Sequence, residues 1–354
     1  MHSDPSTPKP RNFESDNCSG ICPEAWEALE RANRDHVYSY GADSYTERAS
    51  GLIREIFERD CEVFFVFTGT ASNALSAAAL CNSYNAIICH QSAHITTDEC
   101  SAPEYFTGGS KVVALPGRNA KLEPAAVIRS VSGRRDVHAP KVSALSLTQA
   151  TEAGTVYQSI EVAALCAIAR ERKLKVHTDG ARFANAVATL GCRPKEISWQ
   201  AGVDVLCLGG TKNGLSMGEA VVFFDSESAA EFAYRRKQAG QLASKMRFIS
   251  AQWVGLLENN AWLKNAHRSN SRARQLEEGL RGIAHLEILF QVEANSVFVR
   301  FPDGLATDLR AKGWKFHDML RVGGSRLMCG WDTTKDDVKQ FVTDVRELTM
   351  EPTA

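Results

Sequence analysis

Between residues 46 and 225, short apolar runs alternate with longer stretches whose apolar side chains recur every three or four positions. The short runs at 63–67, 86–89, 111–115, 142–147, 174–176, 205–208 and 220–224 predict strands, most of them closed by glycine or polar clusters. The periodic stretches at 24–32, 46–58, 74–81, 121–131 and 160–172 predict helices. Strands alternating with helices predict an α/β fold, a mostly parallel sheet wrapped by helices. No GxGxxG sequence follows any of these strands, which counts against a nicotinamide-binding Rossmann domain. A basic helical stretch at 229–247 reads as a solvated face, and one or two helices follow within 250–282. The remaining segments, 286–289, 296–301, 304–311, 326–329 and 335–348, read as β-β-α-β-α, a small α+β domain. The chain thus divides into a flexible Pro/Ser-rich lead-in over 1–14, a large domain over 15–262 and a small C-terminal domain over 263–354.

Composition narrows the function. The 41 basic and 42 acidic residues nearly cancel, which argues against nucleic acid or an anionic membrane surface as partner. No apolar stretch approaches the ~20 residues of a membrane span, and residues 1–12 lack the apolar core of a secretory signal. A cytoplasmic location is the expectation. The ten cysteines are scattered, several inside apolar runs, and predict free thiols with no metal site.

Three junctions carry candidate chemistry. After the run 205–208 come Gly209-Gly210-Thr211-Lys212-Asn213-Gly214. A lysine at a buried strand end is costly without a task, and burial frees its amine for a Schiff base with an aldehyde cofactor. After the run 174–176 come His177-Thr178-Asp179-Gly180-Ala181-Arg182, which place an aspartate where open α/β sheets bind ligands. Pyridoxal phosphate requires such a pair: a lysine, and an acid that keeps the pyridine nitrogen protonated. After the run 63–67, Thr68-Gly69-Thr70 opens a helix, where backbone amides offer a phosphate site. His94, beyond the strand at 86–89, is a candidate to stack on the cofactor ring, whereas His90 reads as a plain polar loop residue.

With TGTASNA, QSAHITTDE, HTDGARFANA and LGGTKNG in this order, the chain resembles the L-threonine aldolase family. These are pyridoxal phosphate enzymes of fold type I, the aspartate aminotransferase-like fold, and the match is to the low-specificity bacterial branch. The likeness runs from SDNCSGICPEAW at 15–26 to SRLMCGWDTT at 325–334. Thr178 departs from it, standing where the family often has Met or Leu.

The resemblance implies that Lys212 holds the cofactor, Asp179 bonds its ring nitrogen, and Gly69, Thr70 and Thr211 bind its phosphate. It implies His94 against the ring, Arg182 near the ring hydroxyl and the substrate carboxylate, and Ser15 and Arg326 clamping that carboxylate. Tyr40 and Arg247 would be lent by a neighbouring subunit, in a homotetramer built as a dimer of dimers. The implied reaction is retro-aldol cleavage of L-threonine, L-allo-threonine and related small amino-acid substrates to glycine and an aldehyde. A base of near-neutral pKa must take the β-hydroxyl proton, and His94 and His138 are the candidates, directly or through water. A phenylserine-preferring aldolase or a β-eliminating lyase would use the same Lys212 and Asp179, and a non-catalytic binder is the remaining alternative.

Overall fold

The computed structural model describes residues 11–133, 136–319 and 322–350. Seven strands form the main sheet: β1 (Glu62–Val66), β2 (Asn85–His90), β3 (Lys111–Leu115), β4 (Lys141–Thr148), β5 (Lys175–Gly180), β6 (Val205–Leu208) and β7 (Glu219–Phe223). Their order is β1-β7-β6-β5-β4-β2-β3. The block from β6 to β3 is parallel, and β7 runs antiparallel to both β1 and β6. The loop between Leu208 and Glu219 is too short for a crossover, so β7 has to return antiparallel. Because β1 and β6 both oppose β7, they point the same way. The C-terminal ends of β1, β2, β4, β5 and β6 therefore share one edge of the sheet, and the candidate residues follow from that edge.

Helices pack around this sheet in chain order: α1 (Pro23–Ala32), α2 (Ser44–Phe57), α3 (Gly69–Leu80), α4 (His94–Thr97), α5 (Ala102–Phe106), α6 (Pro124–Val131), α7 (Ser159–Glu171) and α8 (Phe183–Leu190). Beyond β7 come α9 (Ser226–Ala229), α10 (Phe232–Gln238), α11 (Arg247–Glu258) and α12 (Ala261–Leu280). Asp43 starts α2 by accepting from the Thr46 amide and hydroxyl, both at 2.9 Å. Thr68 caps α3 through the Ala71 amide, so this helix begins at Gly69, five positions before the periodicity announced it. The short helices α4, α5 and α8 were not visible in the pattern. The basic stretch 229–247 is helical only in part, because α10 ends at Gln238 and a turn leads to Arg247. Within 250–282 there are two helices, separated at Asn260, which takes a left-handed φ of 54°.

A second sheet, β10-β11-β9-β8, is antiparallel and made of β8 (Glu287–Ile288), β9 (Ser296–Arg300), β10 (His317–Met319) and β11 (Gly324–Met328). With α13 (Leu305–Ala311) and α14 (Lys335–Met350) it encloses its own core, and β10 is a strand beyond the predicted β-β-α-β-α. Of the stretch read as a flexible lead-in, residues 1–10 lie outside the described residues. Residues 11–14 correct that reading. Phe13 is fully buried, stacks on Trp314 at 5.4 Å between ring centroids and meets Phe341 edge-on at 5.2 Å. Burying a phenylalanine contributes about 1.5–3 kcal/mol, which holds the segment on the second core. Helix α12 joins the two cores, with Trp262 and Ala266 in the first and Ala273, Leu276 and Leu280 in the second. Among the described residues no helix is long and apolar enough to cross a membrane, and all ten cysteines are free thiols.

Candidate active site

Strand β5 runs four residues past its predicted apolar stretch, so Asp179 sits inside the sheet edge, in register with Thr148 of β4 and Cys207 of β6. Its Oδ1 accepts from the Ala181 amide and its Oδ2 from the Asn73 amide, both at 2.9 Å. Burial by itself would raise this carboxyl. The Ala181 amide, the Lys212 charge and the Asn73 bond outweigh burial and hold Asp179 below the usual carboxylate range, so it stays ionised. Two residues back on the same face, His177 bonds Ser146 at 2.9 Å and Cys207 at 3.2 Å. Burial pushes His177 down to about 4, which keeps it neutral beneath Asp179. Thr178 points to the other face of the strand, as alternation requires. It is buried there with its hydroxyl unpartnered among the described residues.

Lys212 stands in a single 3-10 turn after β6. The turn is held from three sides. Asn213 donates to Trp262 O at 3.0 Å, Asn265 donates to Asn213 O at 2.9 Å, and the Gly210 amide donates to Glu219 at 2.6 Å. The flanking glycines serve the chain itself. A Cβ on Gly209 would stand 2.4 Å from Ala181 O, and one on Gly210 would stand 2.5 Å from Leu215. The Lys212 amine is largely enclosed and makes no hydrogen bond among the described residues. Burial, and then Arg182, lower its pKa; Asp16, Asp179 and Glu219 oppose them without prevailing.

Arg182, just past the end of β5, makes a fork-to-fork pair with buried Asp16, Nε at 2.7 Å and Nη2 at 2.8 Å. Asn295 from the second core also donates to Asp16, at 3.1 Å. Ser15 lies beside this pair and accepts from the Asn17 amide. Arg326 on β11 donates through Nη2 to Glu14 O at 3.2 Å, while its buried Nε has no partner among the described residues. Burial and the neighbouring Arg182 depress the Arg326 pKa. Ser15, Arg182 and Arg326 therefore converge on residues 14–16. Asp16, which organises them, was missed, and its only sequence signal was an acid in an otherwise polar SDN tract.

At the same edge, the cap by Thr68 leaves the amides of Gly69 and Thr70 facing out of the α3 N-terminus, with open space where a Gly69 Cβ would stand. Glu219 takes a bond from the Thr211 side chain, which fixes that hydroxyl beside Lys212. His94 opens α4 with its side chain 38 % exposed, while Glu99, which bonds its Nδ1 at 2.8 Å, is fully enclosed. Glu152 follows β4 and accepts from the His94 amide at 2.9 Å and the Thr148 hydroxyl at 3.0 Å. Burial, and then the Asp179 charge, raise Glu152 to about 7. Neither Glu99 nor Glu152 was foreseen. The signal for Glu152 was the same as for Asp179, a charged residue at the C-terminal end of a strand.

Three expected residues stand apart. His138 is exposed and precedes β4, at the opposite edge of the sheet from Asp179, which removes it as a base within this chain. Tyr40 and Arg247 share another face. Arg247 donates to Arg34 O and Asp35 O, and Tyr40 bonds Ser244 O and lies under Lys237, its ring centroid 5.0 Å from the amine. Among the described residues, neither shares a hydrogen bond, ion pair or ring contact with Lys212, Asp179 or Arg182.

An enclosed lysine after β6 and a buried, ionised aspartate ending β5, both on the C-terminal edge of this sheet, define a fold type I α/β protein. The chain belongs to the beta-eliminating lyase family, whose model matches residues 12–303. It is 51 % identical to the low specificity L-threonine aldolase of Pseudomonas aeruginosa over 95 % of this chain and 97 % of that one. It is 50 % identical to the enzyme of the same name from a Pseudomonas species, over 97 % and 99 %. The threonine aldolase structure from Leishmania major superposes with a TM-score of 0.90 at 26 % identity, covering 96 % of this chain and 99 % of that one. A PLP-bound putative aminotransferase from Clostridium difficile shares the fold, with a TM-score of 0.70 at 12 % identity over 93 % and 89 %.

Proposed function

We propose that the chain is a pyridoxal-phosphate-dependent aldolase. It cleaves L-threonine, L-allo-threonine and related β-hydroxy-α-amino acids to glycine and an aldehyde, which for threonine is acetaldehyde. The observation that carries this reading is the enclosed Lys212 amine, free of hydrogen bonds among the described residues and lowered in pKa, beside a carboxylate that stays ionised in spite of burial.

The residues present fit the cofactor. Lys212 has the unbonded amine needed to hold it covalently, and Asp179 the charge to face a protonated ring nitrogen. Gly69 and Thr70 offer helix-end amides over open space for its phosphate, whereas the Thr211 hydroxyl proton is already spent on Glu219. The half-exposed His94 ring offers a flat surface beside the pyridine. When bound, pyridoxal phosphate supplies an electron sink for the bond between Cα and Cβ.

The protein's own residues do the rest. Arg326, whose buried Nε is unpartnered among the described residues, takes the substrate carboxylate together with Ser15. Arg182 adds a second positive fork, kept in place and partly neutralised by Asp16. The clamp fixes rotation about the Cα–N bond, so that the bond to be broken lies where the sink can receive it. Of the two candidate bases, His94 is the one at this edge, and its Nε2 is the atom placed to accept the β-hydroxyl proton. Tyr40 and Arg247 serve a neighbouring subunit's site from their shared face; such sharing requires at least a dimer, and the likeness to threonine aldolases supports a homotetramer in the cytoplasm.

The test is product analysis with L-threonine. Acetaldehyde and glycine in equal amounts are expected. Ammonia with a keto acid would replace the aldolase with a β-eliminating lyase on the same lysine.

A further inference from the structure

We propose that Glu99 is a positioning residue of this site: it dictates which nitrogen of the His94 ring carries the proton, and Asn73 ties that pair to Asp179. The geometry is a continuous chain. Glu99 Oε1 bonds His94 Nδ1 at 2.8 Å and accepts from Asn73 Nδ2 at 2.7 Å. The same Asn73 nitrogen donates to Asp179 Oδ2 at 2.9 Å. Both protons of one amide are thus spent on two carboxylates, which fixes the Asn73 flip and sets Glu99 against Asp179.

Burial raises the Glu99 carboxyl, but Oε1 already accepts from the Asn73 amide, and an oxygen that receives that proton accepts from His94 as well. Nδ1 of His94 must therefore carry a proton toward Glu99, and the lone pair of a neutral ring is left on Nε2. A bond made only to fill the core would not leave its atoms orphaned. Here Glu99 Oε2 and Asn73 Oδ1 are buried without partners among the described residues, so the arrangement carries an unmet polar cost. The groups facing His94 are Glu99 beyond α4, Glu152 beyond β4, Asp179 on β5 and Lys212 beyond β6. The bond to Glu99 is the leading influence raising the His94 pKa; burial and Lys212 oppose it, and Asp179 assists. Removing the Glu99 charge therefore makes His94 a weaker base.

The consequence for turnover rests on the aldolase reading, but the placement of the proton does not. The experiment is nitrogen NMR on the full chain labelled at histidine, parent and E99Q, with and without pyridoxal phosphate. The parent is expected to show His94 protonated on Nδ1 with Nε2 bare. E99Q, which keeps the shape and loses the charge, is expected to bind the His94 proton about tenfold more weakly. In the loaded protein the visible circular dichroism of the cofactor should fall, and the acid limb of kcat should move to lower pH with KM retained. A parent protonated on Nε2, or an unchanged titration in E99Q, overturns the proposal. Failure of the parent to bind the cofactor would defeat the aldolase reading alone, because His94 is still read on the chain. If E99Q does not fold, the parent's tautomer still decides the matter.

Discussion

Asp179 and Glu152 end neighbouring strands, are both buried, and titrate in opposite directions. Asp179 receives two amide bonds and faces Lys212, so its charge is retained; replacing it with Ala removes the anion that holds the ring nitrogen's proton. We expect Asp179→Ala to fold normally and to lose about 10²–10³ in kcat, read by steady-state assay; an unchanged kcat would remove Asp179 from the chemistry. Glu152 leaves one oxygen unpartnered among the described residues and rises to about 7 from its ordinary 4.5. A raised carboxyl binds its proton more tightly in the folded state. Its effect therefore becomes unfavourable as pH climbs through the interval from about 4.5 to about 7. E152Q should gain stability over the parent across that window, by up to about 3 kcal/mol, in urea titrations at several pH values. A constant difference between the two proteins would contradict the assignment. Lys212 and Asp179 were legible because a charge closing an apolar strand has few bland explanations. Glu99 was not, since Thr96-Thr97-Asp98-Glu99 reads as solvated loop, and its partners Asn73 on α3 and His94 on α4 are set by the tertiary fold. His138 misled because it precedes its strand, and in a parallel sheet that places it on the far edge.

Among the elements, those with regular apolar spacing were anticipated to within a few residues, while α4 and α5 were too short to repeat a pattern and α8, buried over five consecutive residues, shows no polar face to mark one. The start of α3 was hidden because Gly69-Thr70 reads as loop, although Thr68 makes it the first helical turn. The contact between α1 and α11 depends on a glycine that periodicity does not flag. A Cβ on Gly255 would stand 2.2 Å from Glu24 O, and backbone cannot yield as a side-chain tip does. Gly255→Ala should cost about 1–3 kcal/mol and lower the melting temperature, while the isolated helix would be strengthened. An equal or higher melting temperature would show that the two helices part without loss.

At the scale of the molecule, Asp16 links the sites: it pairs with Arg182 of the large sheet and receives Asn295 of the second core, while Arg326 reaches the same segment from β11. A substrate carboxylate would sit where the two cores meet, and this junction lay beyond any local pattern. Subunit sharing adds a further expectation. Mixing inactive Lys212→Ala subunits with Arg247→Ala subunits should restore part of the activity, because some hybrid sites would combine intact residues from each. No recovery after verified mixing would confine every site to one chain. The most direct measurement concerns Lys212 itself. The protein loaded with pyridoxal phosphate is reduced with borohydride, weighed intact, and then mapped by peptide mass spectrometry. One cofactor mass per chain, on the peptide carrying Lys212, is the predicted result; a label on another lysine, or none, would contradict the account.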